Sequence, residues 1–404
     1  YVSTKNMKGV VPLVVANVGD KVKVGTRIAV SGNDIICSPV SGVVEKVIKQ
    51  PSVYGGNYDT VIIKNDNSET KENFTKVSLF ESTAKMDGAI KTLSIVDYDG
   101  ETIVNKIESV KNAQTKTLVV NLVTDEPYQF NTPFLINEKM EDCAIGIELM
   151  ARVMDTSNVI IAIKKEDKVL YQDFVKLLEE KSLDMNFILA LVPNRYPIGD
   201  EVELVGAITK KYFKNKQAVR DSGFVAFDIF SIFMAKRLVI DGEFQDSRPL
   251  TIIEKDGVNI KSTCVWVKFG TRIRDLVSKI KLDGVNGYNK IVAGGFFRGI
   301  SLGNFDSSLP YAVKSIILIQ DTLDDEPIEL PSITCGKCVD VCPRGLVPYE
   351  VEKAILNQDY TEAIKFGAGE CTKCGCCSYV CPAKKHLTQS IKSMRKMQLA
   401  KKKK

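Results

Sequence analysis

The sequence has very little histidine and no long apolar run. His386 is the single imidazole among 404 residues, which leaves few options for acid–base catalysis by histidine. The longest apolar stretch, residues 224–240, contains Asp228 and Lys236 and is shorter than the ~20 residues that a transmembrane helix needs. The start at Tyr1 lacks the apolar segment of a secretory leader. We therefore expect a cytoplasmic globular protein without a membrane span.

Acidic residues are absent after Glu370, although ten Lys and Arg residues follow. Because the whole chain carries a net charge of +5, the part before this segment is acidic, at −5 (5 minus 10). A basic end can steer an acidic partner or anionic lipid, but a solvated tail is the simpler interpretation. Since this tail has no interleaved aromatic residues and the body is acidic, we predict no nucleic-acid binding.

Cysteine is concentrated in one segment. Eight of the eleven cysteines lie between residues 335 and 381. A disulfide framework would spread its pairs over a small secreted fold, whereas clustering in one segment of a large chain indicates ligands in a reducing compartment. The other three, Cys37, Cys143 and Cys264, are expected to be ordinary buried thiols.

The patterning divides the chain into four regions and predicts an α+β multidomain fold. Residues 1–70 alternate short strands with glycine-containing turns, which is typical of a small β-sandwich. Residues 85–242 alternate strands and helices, as in a parallel α/β sheet. Residues 245–321 return to strands as in a β-grasp domain, and residues 330–400 are helical and cysteine-rich, after an acidic linker at 322–331. In the second region we predict strands at 117–123, 158–163 and 186–192, and helices at 139–150 and 171–181.

One cysteine motif is complete. Residues 371–382 read C-T-K-C-G-C-C-S-Y-V-C-P. This is the C-x2-C-x2-C-x3-C-P spacing of bacterial ferredoxin-type sites, in which three thiolates bind one cluster and the fourth serves another. Zinc is the main rival, but zinc ribbons use two separated C-x2-C pairs without the third cysteine and the Cys-Pro. The motif therefore predicts iron–sulfur clusters.

The other motif is incomplete, because Ser332 stands where its first cysteine is expected. Exchanging the fourth ligands between the motifs predicts one complete [4Fe–4S] site and a second site with three cysteines. The second site is expected to hold a [4Fe–4S] or [3Fe–4S] cluster or to be vacant, and Ser332, water or the extra Cys376 are its alternative fourth ligands. Cys376 is otherwise a small residue packed beside the cluster. The complete site consists of Cys342, Cys371, Cys374 and Cys377, and the second of Cys335, Cys338 and Cys381.

With these motifs the chain resembles the RnfC family, relatives of the flavin-binding 51 kDa subunit of respiratory complex I. The resemblance implies four domains: an N-terminal barrel-sandwich hybrid domain, a 51 kDa-like α/β core, an SLBB β-grasp domain and a C-terminal α-helical two-cluster ferredoxin domain. Local similarities also lie at residues 125–128, 192–201 and 294–299. The first domain has no lysine at its hairpin tip, residues 31–36, so we expect it to be structural and unmodified.

The resemblance also exposes a difference. Family members that bind FMN and NADH carry a glycine-rich loop, G-x-G-G-A-G-F-P-T, whose backbone N–H groups approach phosphate. Here residues 97–102 read D-Y-D-G-E-T, so one glycine and three carboxylates would meet an anionic cofactor with bulk and repulsion. The acidic G-A-E-C-E-P-Y segment is reduced to L-V-T-D-E-P-Y at residues 122–128. FMN and NADH are therefore doubtful cofactors, and we interpret residues 126–128 as a structural loop.

The resemblance implies an electron carrier or oxidoreductase subunit rather than a stand-alone catalyst. Without a flavin loop, the chain is most similar to the PrdC proteins, which implies D-proline reductase subunits as redox partners in the cytoplasm. The alternative is an RnfC subunit of a membrane NADH/ferredoxin oxidoreductase complex that uses FMN, peripheral to the membrane. A third hypothesis is an assembly scaffold with zinc or a structural cluster.

Overall fold

The structure is a computed structural model that describes residues 1–5, 10–181, 186–279, 288, 290–303, 305–320 and 328–402, with side chains through residue 394. These residues form two compact units. The first contains residues 1–295 and 300–320, and the second contains residues 296–299 and the described part of residues 321–404. The linker predicted at residues 322–331 lies largely outside the described residues. The four domain ranges given above stay predictions.

The first unit begins with seven strands in two small antiparallel sheets. They are β1 (Val2–Ser3), β2 (Leu13–Val14), β3 (Lys21–Val22), β4 (Arg27–Ser31), β5 (Asp34–Cys37), β6 (Gly42–Pro51) and β7 (Asn57–Asn65). The strand orders are β1-β7-β6-β3 and β2-β4-β5. Their buried apolar residues, including Ile28, Val44 and Val61, form one core, as the alternating pattern predicts. The turn between β4 and β5 contains Gly32 at φ +57°.

Strands and helices then alternate along the chain. In chain order they are α1 (Thr83–Ile90), α2 (Ile103–Ser109), β8 (Thr117–Asn121), α3 (Asn131–Val153), β9 (Asn158–Lys164), α4 (Gln172–Glu180), β10 (Asn186–Val192), α5 (Glu201–Thr209), α6 (Lys216–Asp221), β11 (Phe224–Asp228) and α7 (Ile229–Val239). Strands β10-β9-β8-β11 form a parallel sheet in that order. Because every strand runs in the same direction, their carboxyl ends meet at one edge.

The predicted strands and helices of this region agree with β8, β9, β10, the middle of α3, and α4. Strand β11 and helix α7 were not predicted, although they fill the long apolar stretch noted above. Asp228 separates them: its side chain accepts the N–H of Phe230 and caps α7.

The first unit ends in a five-stranded mixed sheet with one helix. The elements are β12 (Ser247–Asp256), β13 (Asn259–Lys268), α8 (Ile273–Lys279), β14 (Lys290–Ala293), β15 (Ile300–Leu302) and β16 (Ser315–Gln320). The order is β13-β12-β16-β14-β15, with β12 and β16 parallel and the other pairs antiparallel. Its core includes Leu250, Ile291 and Ile316. The SLBB assignment of this sheet stays a prediction.

The second unit is helical in its described part. Its helices are α9 (Lys337–Asp340), α10 (Pro348–Leu356), α11 (Tyr360–Lys365), α12 (Cys376–Val380) and α13 (Leu387–Lys402). Val351, Ala363, Ile391 and Met394 form a small core between α10, α11 and α13. This core holds together the two loops that carry the cysteines.

Candidate iron–sulfur centre

The two cysteine motifs fold as two copies of one local structure, with position 332 equivalent to position 371. In each copy the residue before the second ligand position has a left-handed backbone, with φ +51° at Thr334 and +61° at Lys373. A glycine follows the second ligand position, with φ +78° at Gly336 and +92° at Gly375. A positive φ is the conformation that glycine adopts without steric cost. The short helices α9 and α12 begin directly after these glycines, so the copies match turn for turn.

Four thiols from both motifs line one cavity, here called the first cavity. Cys342 comes from the first motif, and Cys371, Cys374 and Cys377 come from the second. Cys374 and Cys377 are buried, and the other two are half-buried. Three ligands from one loop and the fourth from the other motif is the arrangement expected of a two-cluster ferredoxin domain. The structure therefore brings together the four residues predicted for the complete site.

The remaining three motif cysteines line a second cavity. These are Cys335, Cys338 and Cys381, and Ser332 lines the same cavity. Cys338 is buried, whereas Cys335 and Ser332 are exposed. This second cavity is thus open to solvent on the side of the first motif's loop.

Cys376 lies among the lining residues of neither cavity. Its side chain is buried and hydrogen-bonds to Cys374, and this hydrogen bond lowers the pKa of the Cys374 thiol to about 6. Of the two side chains predicted as alternative fourth ligands, the structure places Ser332 with the three cysteines and Cys376 beside the first cavity. The second interpretation of Cys376, a small residue packed near the cluster, agrees with this position.

Two of the sulfur atoms that line the first cavity are in hydrogen-bond contact with neighbouring groups. The N–H of Lys373 donates to Cys371 Sγ at 3.3 Å, and the Thr388 hydroxyl lies 3.3 Å from Cys377 Sγ. Such contacts stabilise a reduced cluster and set its potential. Within the described chain, no three His, Cys, Asp or Glu side chains converge as a site for a single metal ion requires. The thiols are instead distributed around the two cavities.

The loop at residues 97–102 carries carboxylates that are paired with cations of the same chain. Asp97 and Lys106 form an ion pair in which both side chains are 0% exposed. Lys106 also donates to the carbonyl of Ala226 at 2.8 Å and lies 3.4 Å from Asp99. Burial acts to lower the pKa of Lys106, but the carboxylates of Asp97 and Asp99 outweigh it and raise that pKa. Asp99 is also ion-paired with Lys216.

A third ion pair lies at the other end of this loop. Arg220 donates two hydrogen bonds to Glu101, at 2.8 and 2.7 Å, in the bidentate geometry of a strong pair. Arg220 also contacts Glu201 at 3.3 Å, and Glu201 accepts the N–H of Ala226 at 3.2 Å. The three carboxylates noted in the sequence are therefore each matched by a cation from elsewhere in the fold.

The backbone N–H groups of the loop are also engaged. Tyr98 donates to the Asp97 carboxylate at 2.9 Å, and Glu101 to the Asp99 carboxylate at 3.0 Å. Gly100 donates to the carbonyl of Asp97 at 2.9 Å. A phosphate needs such N–H groups as donors and repels carboxylates. The residues present at this loop do not fit the phosphate of FMN.

The acidic segment at residues 125–126 contacts neighbouring loops. Asp125 accepts the N–H of Gly199 at 2.7 Å, and Glu126 accepts the Tyr196 hydroxyl at 3.3 Å. A Cβ atom at Gly295 would lie 2.2 Å from the Glu126 side chain, so this glycine permits the close approach. These contacts agree with the interpretation of the segment as a structural loop.

Sequence reasoning did not find the cations of this network, which are Lys106, Lys216 and Arg220. Lys216 and Arg220 come more than 100 positions after the loop, so no local spacing relates them to it. Burial was predicted correctly for Cys37 and Cys143, whereas Cys264 is half-buried.

Comparison with known proteins gives two family matches. A model described as the Nuo51 FMN-binding domain matches residues 90–236. A model described as a 4Fe-4S dicluster domain matches residues 333–385. The second match covers the motifs that line both cavities.

The curated relatives share one name, which describes a subunit of an ion-translocating oxidoreductase complex. The protein of Buchnera aphidicola is 29% identical over 66% of this chain and 55% of its own length. That of Rhodobacter capsulatus is 28% identical over 62% and 47%, and that of Pectobacterium carotovorum 28% over 61% and 32%. The chain thus spans about half or less of the length of these relatives.

Solved structures show a similar fold. The NAD+-reducing [NiFe]-hydrogenase matches in its air-oxidized state with a TM-score of 0.51 and 13% identity, covering 74% of this chain and 59% of that chain. Its H2-reduced state gives a TM-score of 0.52. Among the described helices, none has the length and apolar character that a bilayer crossing requires. Together the matches confirm a mixed α/β protein with a 51 kDa-like domain and a C-terminal 4Fe-4S ferredoxin domain.

Proposed function

We propose that this RnfC-like chain is an iron–sulfur electron-transfer subunit of an ion-translocating oxidoreductase complex. The observation that carries the proposal is the pair of cavities, each lined by cysteines from both motifs. The shared name of the curated relatives and the dicluster match support it. Because the chain spans about half or less of those relatives, membership in such a complex is part of the proposal.

The residues of the second unit have separate tasks in this function. Cys342, Cys371, Cys374 and Cys377 would hold one [4Fe–4S] cluster, and Cys335, Cys338 and Cys381 would bind the second. The clusters would supply one-electron transfer. The protein would set the potentials through burial and hydrogen bonds to sulfur. Because Cys335 is exposed, a cluster bound there would lie near solvent, where a redox partner can approach.

The comparisons do not support D-proline reductase as the partner, and similarity to the PrdC proteins is not shown. The named relatives are subunits of an ion-translocating complex, which favours the alternative that the sequence left open. The redox partners are therefore other subunits of a complex to which this chain binds peripherally.

We infer further that the 51 kDa-like domain of this chain does not bind FMN at residues 97–102. The family model is described as FMN-binding, but each carboxylate of the loop is ion-paired and its N–H groups at Tyr98, Gly100 and Glu101 are engaged. An incoming phosphate would displace these donors and meet three carboxylates. Electrons would therefore reach the clusters without a flavin at this loop.

The first experiment is anaerobic purification with iron, sulfide and zinc determined together, followed by EPR before and after dithionite. We expect about eight irons and eight sulfides per chain, as two four-iron clusters require. Stoichiometric zinc in a colourless protein would refute the electron-transfer proposal and select the scaffold hypothesis.

The flavin inference has its own test. The purified chain is incubated with excess FMN, passed through gel filtration, and acid-extracted for flavin. We expect no retained FMN, because the loop donors are already engaged. One FMN per chain would refute the inference and return the chain to the flavin-containing members of the family.

Partner identity is tested in the native host with a tagged chain. We expect the chain to sediment with membranes, to be released by high salt, and to co-purify with integral membrane subunits from detergent extracts. Recovery in the soluble fraction with a reductase would contradict membership in the complex and leave the iron result unaffected.

A further inference from the structure

Ser332 has the same position in its loop as Cys371 has in the complete motif. Ser332 Oγ accepts the N–H of Thr334 at 3.3 Å. In the complete motif, Cys371 Sγ accepts the N–H of Lys373 at the same distance and the same separation of two residues. Both donating residues have the left-handed backbone described above. The loop therefore presents the Ser332 oxygen as the other loop presents the Cys371 sulfur.

Ser332 also lines the second cavity, where a fourth cysteine is missing. It shares the second cavity with Cys335, Cys338 and Cys381, whereas the competing thiol, Cys376, hydrogen-bonds to a ligand of the first cavity. No carboxylate or histidine is among the described residues that line the second cavity.

Two other hydroxyl groups line this cavity, and the repeat argues against both as ligands. Thr334 is equivalent to Lys373, which is not a ligand position in the complete motif. Tyr349 is equivalent to Thr388, whose hydroxyl hydrogen-bonds to a cysteine ligand at the first cavity instead of replacing one.

We propose, on the premise of the proposed function, that Ser332 Oγ is the fourth ligand of the cluster bound by Cys335, Cys338 and Cys381. In that role the Ser332 hydroxyl would lose its proton and its oxygen would bind one iron. Because Ser332 is exposed, the proton passes to solvent water. Oxygen is a harder donor than a thiolate and favours ferric iron. The second cluster is therefore a four-iron cluster with a lower potential than its four-cysteine equivalent.

The test compares anaerobic wild-type protein with Ser332→Ala, Ser332→Cys and the control Ser390→Ala, whose hydroxyl donates to the backbone carbonyl of His386, immediately before α13. Cys371→Ser is the reciprocal variant and gives the first cavity the same ligand set. Each protein is oxidised with ferricyanide. Iron and sulfide content, EPR, Mössbauer spectra and midpoint potentials are then measured.

We expect about eight irons in the wild type and in Ser332→Cys, and about seven with a three-iron EPR signal in Ser332→Ala. In Ser332→Cys one midpoint potential rises and the other is unchanged. Cys371→Ser should keep eight irons and show a second cluster with the spectrum of the serine-ligated one.

Equal iron content and spectra in wild type and Ser332→Ala would overturn the ligand proposal and leave the electron-transfer function standing. A wild type with only four or seven irons would do the same, because the second site would then be vacant or a three-iron site. Absence of iron from all variants would refute the proposed function itself.

Discussion

Replacing Lys106 by methionine should strongly destabilise the first unit. Lys106 is 0% exposed and is paired with Asp97, which is equally buried. Methionine keeps much of the length and apolar volume of the lysine stem but removes its charge and its hydrogen bonds. The change therefore leaves the Asp97 carboxylate buried without its principal counter-ion.

The expected magnitude follows from the environment of Asp97. Breaking a buried ion pair by removing one partner typically costs 3–5 kcal/mol, because the remaining charge is uncompensated, so we expect a loss of about that size. The Asp97 carboxylate keeps hydrogen bonds from Ser231 at 2.6 Å and from the N–H of Asp228 at 3.1 Å, which places the expected loss near 3 kcal/mol. The carbonyl of Ala226 also loses its donor.

The assay is urea unfolding followed by the fluorescence of the single tryptophan. Trp266 packs against Phe134 and Phe233, with ring centroids 6.3 and 6.2 Å apart, so its emission reports on the first unit. The matched control is Lys85→Met, which removes an exposed ion pair with Glu81. Exposed pairs contribute little, so we expect a change below about 0.5 kcal/mol.

The double variant Asp97→Asn/Lys106→Met separates charge from packing. Removing both charges should recover part of the lost stability, since neither partner then leaves the other uncompensated. A loss below about 1 kcal/mol in Lys106→Met alone would refute the buried network as the reason why this loop is closed to phosphate.

Three further predictions concern single residues. Cys342→Ala should remove about one iron and change the spectrum of one cluster, because this cysteine is the thiol that the first motif supplies to the first cavity. Cys143→Ala, a buried thiol elsewhere, is the control and should leave iron unchanged. Cys376→Ala should keep all iron but lower one midpoint potential by about 40 mV, the one-electron equivalent of a ~1 kcal/mol hydrogen bond, and an unchanged potential in redox titration would contradict it. Burial acts to raise the pKa of Asp99, but two lysines hold it well below its usual value, so its contribution to stability is present above about pH 4 and is lost as the pH falls. Asp99→Asn should therefore flatten the acid side of the stability curve measured by urea unfolding, and an unchanged slope would count against this pair.

Much of the fold could be predicted because the strands of the parallel sheet are short apolar runs between turn signals. Strands β8, β9 and β10 fall where the pattern places them. The chain from Phe224 to Val239 could not be divided in the same way, because both β11 and α7 are buried on all sides and show neither a period of two nor one of 3.6. In the structure β11 pairs with β8 as far as Asp228, and the side chain of Asp228 caps the helix that follows.

The candidate site, too, could be predicted from the sequence only in part. The spacing of the two motifs, with the last cysteine of each exchanged, predicts which cysteines line each cavity. The choice between Ser332 and Cys376 was not predictable, because it depends on the direction in which each side chain points. In the structure the two motifs are copies of one loop, and the Ser332 oxygen accepts the same backbone hydrogen bond as the Cys371 sulfur.

The sequence by itself determined the chemistry of the second unit, since ligand type and spacing are local properties of a loop. It also determined that residues 97–102 are unlike a phosphate loop, since that needs only the count of glycines and carboxylates. Only the tertiary structure explains how the loop keeps its carboxylates buried or nearly buried, because each is paired with a cation. Lys216 and Arg220 reach it from more than 100 residues away, and such pairings exist only when the chain is folded.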